Sequence, residues 1–307
     1  MTRAAIEKIV SELGSSDNLS NSKLAQLSNL SSEDLEFLKS SWATIETKRR
    51  RQIVYRLTEL AEDNLELNFD TIFRHCFFDT DEEVRTKAID GVWENEEPSL
   101  INPLISLLLK DSSEKVQATA ASALGKFAML AEHKKLRPCH TDKIREALLG
   151  TINTPDKPPE VRRRALEAVA PLSLPEVSTA ITNAYESGDR KFITSSIYAM
   201  GKNCDPSWLS TLLKELSSAD ATIRYEAAGA CGELEAQEAV PYLKKLLCDA
   251  DADVQMAAIQ ALGKIGGPKA KEFLQRCLNN TSQAIRQAAE QALSELRSQE
   301  DLLPFRI

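Results

Sequence analysis

Val254-Gln255-Met256-Ala257-Ala258 is followed 31 residues later by Ile285-Arg286-Gln287-Ala288-Ala289, and preceded 31 residues earlier by Ile223-Arg224-Tyr225-Glu226-Ala227. The same register holds Phe192 to Ser196, Val161-Arg162-Arg163-Arg164-Ala165, Val116-Gln117-Ala118-Thr119-Ala120 and a weaker copy at Val84. The leading residues stand at 84, 116, 161, 192, 223, 254 and 285, so the spacings are 32, 45, 31, 31, 31 and 31. An interval repeated this often is the signature of a stacked array. Each unit is too small to bury its own apolar face and does so on its neighbour.

Counting from the leading residue as zero, position +4 is Ala88, Ala120, Ala165, Ser196, Ala227, Ala258 and Ala289, and +7 is Gly91 or Ala. Position +8 is Val92, Leu124, Val169, Met200, Cys231, Leu262 and Leu293. Apolar residues at 0, +4, +7 and +8 form one helical stripe, and the small ones let a neighbouring helix come close. Gly125, Gly201, Gly232 and Gly263 at +9 suggest a helix C-cap. Asp, Ser or Asn at −5 marks a turn or N-cap. A second amphipathic segment precedes each turn, as at Leu100 to Ile105 and Val240 to Leu243. Each unit is therefore a helix, a tight polar turn and a second helix.

Asp79-Thr80-Asp81-Glu82-Glu83-Val84-Arg85, Asp249-Ala250-Asp251-Ala252-Asp253-Val254 and Ala261-Leu262-Gly263 resemble the HEAT repeat, in its short, phycobilisome-lyase-like form. The resemblance spans roughly residues 65–295. It implies an all-α, right-handed alpha-alpha superhelix (a HEAT/ARM-like solenoid) of about seven or eight helical-hairpin repeats. Residues 1–64 are then N-terminal helices and a cap, with a Ser/Asn-rich linker at 14–22; residues 65–297 form the solenoid, and 298–307 an apolar tail. Position +1, usually Arg in that family, runs Arg85, Gln117, Arg162, Ile193, Arg224, Gln255, Arg286. Its place at the edge of the apolar arc predicts a structural role, with the head group reaching a turn Asp or carbonyl.

The net charge of −8 disfavours wholesale wrapping of nucleic acid. Six scattered cysteines without a CxxC pair, and an N-terminus lacking the apolar run of a signal peptide, point to the cytoplasm. No apolar stretch is long enough to span a membrane. The one long interval places an insertion near 130–143. The segment from Lys126 to Arg164 has ten basic residues against five acidic ones. Lys134, Lys135, Arg137, Arg163 and Arg164 form a candidate basic patch for nucleic acid or another anionic ligand. The run Lys48-Arg49-Arg50-Arg51 reads as a solvated helix face or an anion site.

Reacting groups are hard to find. The three histidines are His75, His133 and His140, and His133, Cys139 and His140 lack a second ligand cluster. The iron-binding hydroxylases built on HEAT-like repeats use His-Glu pairs, and this chain has no His followed by Glu. Phycobilin lyases enter by resemblance alone. No glycine-rich phosphate loop or G-x-S-x-G elbow occurs. Positions +2 and +6 lie opposite the apolar arc, and in the HEAT family this helix lines the concave side. Arg163, Thr194, Tyr198, Tyr225, Met256 and Gln260 are thus the candidate partner-binding groove. The expectation is a non-enzymatic, protein-binding scaffold without cofactor or metal, its partner a protein of unknown identity.

Overall fold

The computed structural model describes Ile9, Glu12, Leu13 and residues 20–302, with side chains to 298. The expected helix over 4–13, most of the 14–22 linker and the tail beyond Leu302 lie largely outside the described residues. Every regular element among those residues is helical. The chain divides into two compact units, residues 1–168 and 169–307.

The first unit holds α1 (Asn21–Ala25), α2 (Ser32–Trp42), α3 (Thr47–Asp63), α4 (Asp70–Cys76) and α5 (Glu82–Gly91). A short turn at Pro98–Leu100 then runs into α6 (Ile101–Lys110), followed by α7 (Glu114–Glu132), α8 (Pro138–Ile152) and α9 (Pro159–Val169), which crosses the boundary at its last residue. Within this unit α3 packs on α5 and α5 on α7, while α6 packs on α7. The second unit comprises α10 (Pro175–Tyr185), α11 (Arg190–Asn203), α12 (Leu209–Glu215), α13 (Ala221–Glu233), α14 (Val240–Leu246), α15 (Ala252–Ile265), α16 (Gly267–Cys277) and α17 (Gln283–Leu302). Here α11, α13, α15 and α17 stack in succession, each backed by the helix before it. The 31-residue register thus becomes a layer of second helices in contact, as an all-α solenoid requires.

Apart from the turn at Asp156, where position −3 is Pro158, the turns share one build. Position −5 is an Asx- or Ser-turn residue and position −3 is the N-cap. Asp249 accepts the N–H of Asp251 at 2.9 Å, and Asp251 in turn accepts those of Asp253 and Val254 at 2.9 and 3.3 Å. Asp79 and Asp81 repeat the pattern, as do Asp111 and Ser113. The +1 arginine ties one repeat to the next. Arg85 donates to its own turn at the Asp79 carbonyl (2.8 Å) and grips both carboxylate oxygens of Asp111 in the following turn (2.8 and 2.7 Å). Arg224 does the same with the Ser218 carbonyl and Asp249. Where +1 is Gln, at Gln117 and Gln255, the shorter side chain donates to its own turn carbonyl, and Gln117 Oε1 accepts from Lys157 of the following turn at 2.8 Å.

Two sequence expectations change. Gly125, Gly201, Gly232 and Gly263 are not caps, because each lies inside its helix. They stand against the +7 alanine of the next repeat: a Cβ on Gly201 would fall 2.7 Å from Ala230 Cα, and one on Gly232 would fall 2.9 Å from Ala261 Cα. The basic run at 48–51 is a solvated face only in part: Lys48 and Arg51 are exposed, but Arg50 is not. Arg50 is buried, donates to the Ile45 carbonyl at 2.9 Å and reaches Asp79 at 3.2 Å, as a +1 arginine of one further upstream repeat. Arg51 pairs with Asp81 and Glu83. The extra residues after Lys126 mostly lengthen helices. α7 has 19 residues and α8 has 15, leaving a short turn at 133–137 in which Lys134 adopts φ 58°.

Candidate functional site

A pocket lies in the first unit, where the repeat departs from its pattern. Position +7 is Gly91, and the Phe73 ring of α4 occupies the space a Cβ would need, 2.6 Å away. Position +9 is Trp93 instead of glycine. α5 therefore stops at Gly91, and the chain from Val92 to Glu97 leaves the helical layer. The resulting cavity, about 570 Å³, is lined by Phe69, Phe73, Leu65, Leu67 and Trp93, and by Glu62, Asp70, Asp90, Glu94 and Glu97. Lys87 is the lining cation, and it is held by Asp90 at 3.3 Å. Glu97 is paired with Arg74, and Asp70 accepts a short hydrogen bond from the Asn95 amide. Glu62 and Glu94 form no ion pair among the described residues, so the pocket carries uncompensated negative charge. Trp93 is 63% exposed, an aromatic face beside those carboxylates. A shallower hollow of about 800 Å³ shares Asp90 and adds Glu82, Glu114 and Glu160.

Behind the wall of the pocket, Lys126 of α7 points inward. Its ammonium donates to the carbonyls of Val92 (3.0 Å), Trp93 (2.6 Å) and Asn95 (2.6 Å). Burial pushes its pKa down to about 8, against the opposing pull of Glu96 and Asp70.

The residues singled out from the sequence are placed as follows. Thr194, Tyr198, Tyr225, Met256 and Gln260 belong to α11, α13 and α15 of the second unit, whereas Arg163 belongs to the first. Tyr198 and Tyr225 are 38% and 42% exposed, Gln260 is exposed, and Thr194 and Met256 are half-buried. Lys202 Nζ lies 5.7 Å from the Tyr198 ring and is tied to Glu233 at 2.9 Å. Of the basic residues, Lys134, Lys135 and Arg137 are exposed in the 133–137 turn. Arg163 pairs with Glu160 at 2.6 Å, and Arg164 with Glu160 and Glu167 at 2.9 and 2.7 Å, so two glutamates on their own helix offset both arginines. Position +2 does not always face out: Thr86 and Ala118 are buried.

The family profile of HEAT repeats matches residues 73–143 and 209–294, more than half of the sequence. The chain belongs to the HEAT-repeat family. Among curated proteins, this HEAT-repeat chain is 31% identical over 106 residues to the deoxyhypusine hydroxylase of Candida albicans, covering 34% of this chain and 33% of that one. It thus spans about a third of the length of the curated relative it matches. Among solved structures, human deoxyhypusine hydroxylase in complex with glycerol aligns at 16% identity and TM-score 0.33 over 96% of both chains. Importin beta aligns at 13% identity and TM-score 0.49, over 95% of this chain and 44% of that one. At these TM-scores neither structure bears on the pocket or its chemistry.

The curated relative corrects the expectation of a non-enzymatic scaffold: the sequence kinship runs to an enzyme. The described residues nevertheless do not fit the iron of the HEAT-type hydroxylases. Among them no group of three or more His, Cys, Asp or Glu side chains is placed to hold a metal. His75 packs edge-on against Trp42, with ring centres 6.3 Å apart, and burial pushes its pKa down. His133 and His140 stand on the 133–137 turn and α8, away from any such cluster. No step through a metal follows from this donor set.

The pocket is not among the sites expected from the sequence, which were sought on the regular outward positions and in the basic insertion. The available signal was the departure from it, glycine at +7 and tryptophan at +9 in a single repeat.

Proposed function

We propose that this chain is an enzyme-related HEAT-repeat protein whose first unit recognises a cationic amine side chain, of the deoxyhypusine kind, in the acidic pocket beside Trp93. The observation that carries the reading is that uncompensated Glu62 and Glu94 line the same cavity as an exposed Trp93 ring. Carboxylates and an aromatic face attract the same ligand, an alkylammonium, by charge and by cation–π attraction. The accessible apolar lining of Leu65 and Leu67 suits the methylene chain between charges. A volume of about 570 Å³ falls within the usual span for small-molecule pockets. Deoxyhypusine is a lysine lengthened by an aminobutyl arm, which is a long, flexible, polycationic amine, and the curated relative is named for acting on it. Six free cysteines fit a reducing compartment, and we place the protein in the cytoplasm.

The test is calorimetric titration with a peptide bearing deoxyhypusine. Saturable binding that weakens in Trp93→Ala and in the Glu62→Gln/Glu94→Gln double variant supports the reading. No saturable binding, or binding untouched by both variants, overturns it. Gain of one oxygen by the bound peptide, read by mass spectrometry, would extend the kinship from recognition to reaction.

A further inference from the structure

We propose that Lys126 is a positioning residue of this pocket: by donating into the carbonyls of Val92, Trp93 and Asn95, it fixes the wall that presents the Trp93 ring and anchors Asp70. The proposal rests on the amine-recognition reading for its ligand, but its geometry is independent of it.

The repeat register supplies the comparison. Lys126, Lys202, Glu233 and Lys264 all occupy position +10. In the second unit Lys202 and Lys264 both reach Glu233, at 2.9 and 2.8 Å, making an ion ladder between neighbouring repeats. Lys126 has no such carboxylate partner and turns its ammonium onto backbone oxygens, at 2.6 to 3.0 Å. Those oxygens belong to a segment with no helix of its own, between the end of α5 and the turn at Pro98. The network continues to the cavity: Asn95, held through its carbonyl, donates its side-chain amide to Asp70, which lines the pocket. Removing the ammonium leaves three carbonyls without their shared donor, two of them on residues that line the cavity.

Protonation of Lys126 is therefore linked to the order of the wall. The charges that act on it are Glu96 from the same segment and Asp70 from α4. From α5, Lys87 and Asp90 are engaged with one another. With its pKa lowered to about 8, Lys126 sheds most of its charge between about pH 7 and about pH 9.

The experiment uses the full chain and hexamethonium, a bis-quaternary cation whose own charge does not vary with pH. The expected result is a dissociation constant about fivefold weaker at about pH 9 than at about pH 7, the size of one exposed cation–π contact. Lys126→Met should bind at the weaker level at both pH values. The second readout needs no ligand: acrylamide quenching of Trp93, taken as the signal removed by Trp93→Phe. It should rise through pH 8 in the wild type, lie high and flat in Lys126→Met, and stay flat in Lys126→Arg, which keeps its charge. Quenching that is flat with pH in the wild type, or unchanged in Lys126→Met, overturns the proposal. Loss of hexamethonium binding with the quenching step intact instead removes the amine reading and leaves the positioning role standing. Should Lys126→Met fail to fold, the wild-type pH step and its absence in Lys126→Arg decide.

Discussion

Replacing glycine by alanine inside a helix should stabilise this protein at one position and destabilise it at another, with the sign set by the space beyond the Cβ. Alanine is favoured over glycine by about 1 kcal/mol in a helix interior. Gly229 lies in the middle of α13 with nothing within 4 Å of an added Cβ, so Gly229→Ala should gain that amount. Gly201 lies inside α11, where the same Cβ would fall 2.7 Å from Ala230 Cα and 2.9 Å from Ala230 Cβ. The first of those atoms is backbone and cannot rotate away, so the helices must separate. Overpacking of this kind costs about 1–3 kcal/mol, enough to cancel the propensity gain and leave a net loss of about 1 kcal/mol. Gly125, where the nearest atom is 3.2 Å away, should come out near neutral. Ala230→Gly in the Gly201→Ala background should restore only part of the loss, because the substitution removes a side-chain atom and leaves the obstructing backbone in place. Urea midpoints for the set are the measurement, since an array need not unfold in one step and the midpoint is the safer observable. Stabilisation of Gly201→Ala as large as that of Gly229→Ala would refute the reasoning and return the +9 glycines to some other role.

The arginine ties between repeats make a second test. Arg85→Met leaves the Asp111 carboxylate (side chain 6% exposed) without its bidentate partner and should cost about 3 kcal/mol, with Arg224→Met costing less because Arg224 is more exposed. Midpoint shifts of equal size in both would contradict that ranking. A third concerns acid. The Arg190 guanidinium hydrogen-bonded to Asp220 lowers its carboxyl to about 2 from 3.8. A depressed folded value means that the stabilisation is complete above the unfolded value and is lost as pH falls from about 4 towards about 2. Arg190→Ala should flatten the acid limb of the stability profile in that window, and an unchanged limb would show that the exposed pair contributes nothing.

Much of the fold is legible in the spacing, because a stripe at 0, +4, +7 and +8 has only one way to be buried when it recurs every 31 residues. The turn chemistry is legible too: Asp or Ser at −5 and −3 are the residues that satisfy free helix N–H groups, and they do so here. The +9 glycines mislead because a helix end and a close helix approach ask for the same residue, and sequence position alone does not separate them. Arg50 was hidden for a different reason. Its repeat begins 35 residues before Val84 and lacks the small-residue pattern, so a buried +1 arginine looked like part of a charge run.

The position of the pocket follows from the same packing that makes the fold. Where +9 is glycine and +7 of the next repeat is alanine, the helices approach so closely that no side chain fits between them, as at Gly201 against Ala230 and Gly232 against Ala261. In the first of the aligned repeats the +9 residue is Trp93, which cannot enter that space, and the Phe73 ring already fills the place beside Gly91. The helix ends, the chain swings out, and Leu65, Trp93 and Glu94 stay exposed around the gap it leaves. Recognition in this chain is therefore expected where the period breaks. The same logic accounts for the mistaken expectation of a scaffold. Positions that keep a regular register are already committed to packing and offer no reacting group, whereas kinship to a hydroxylase is carried by a stretch of 106 residues, not by one motif.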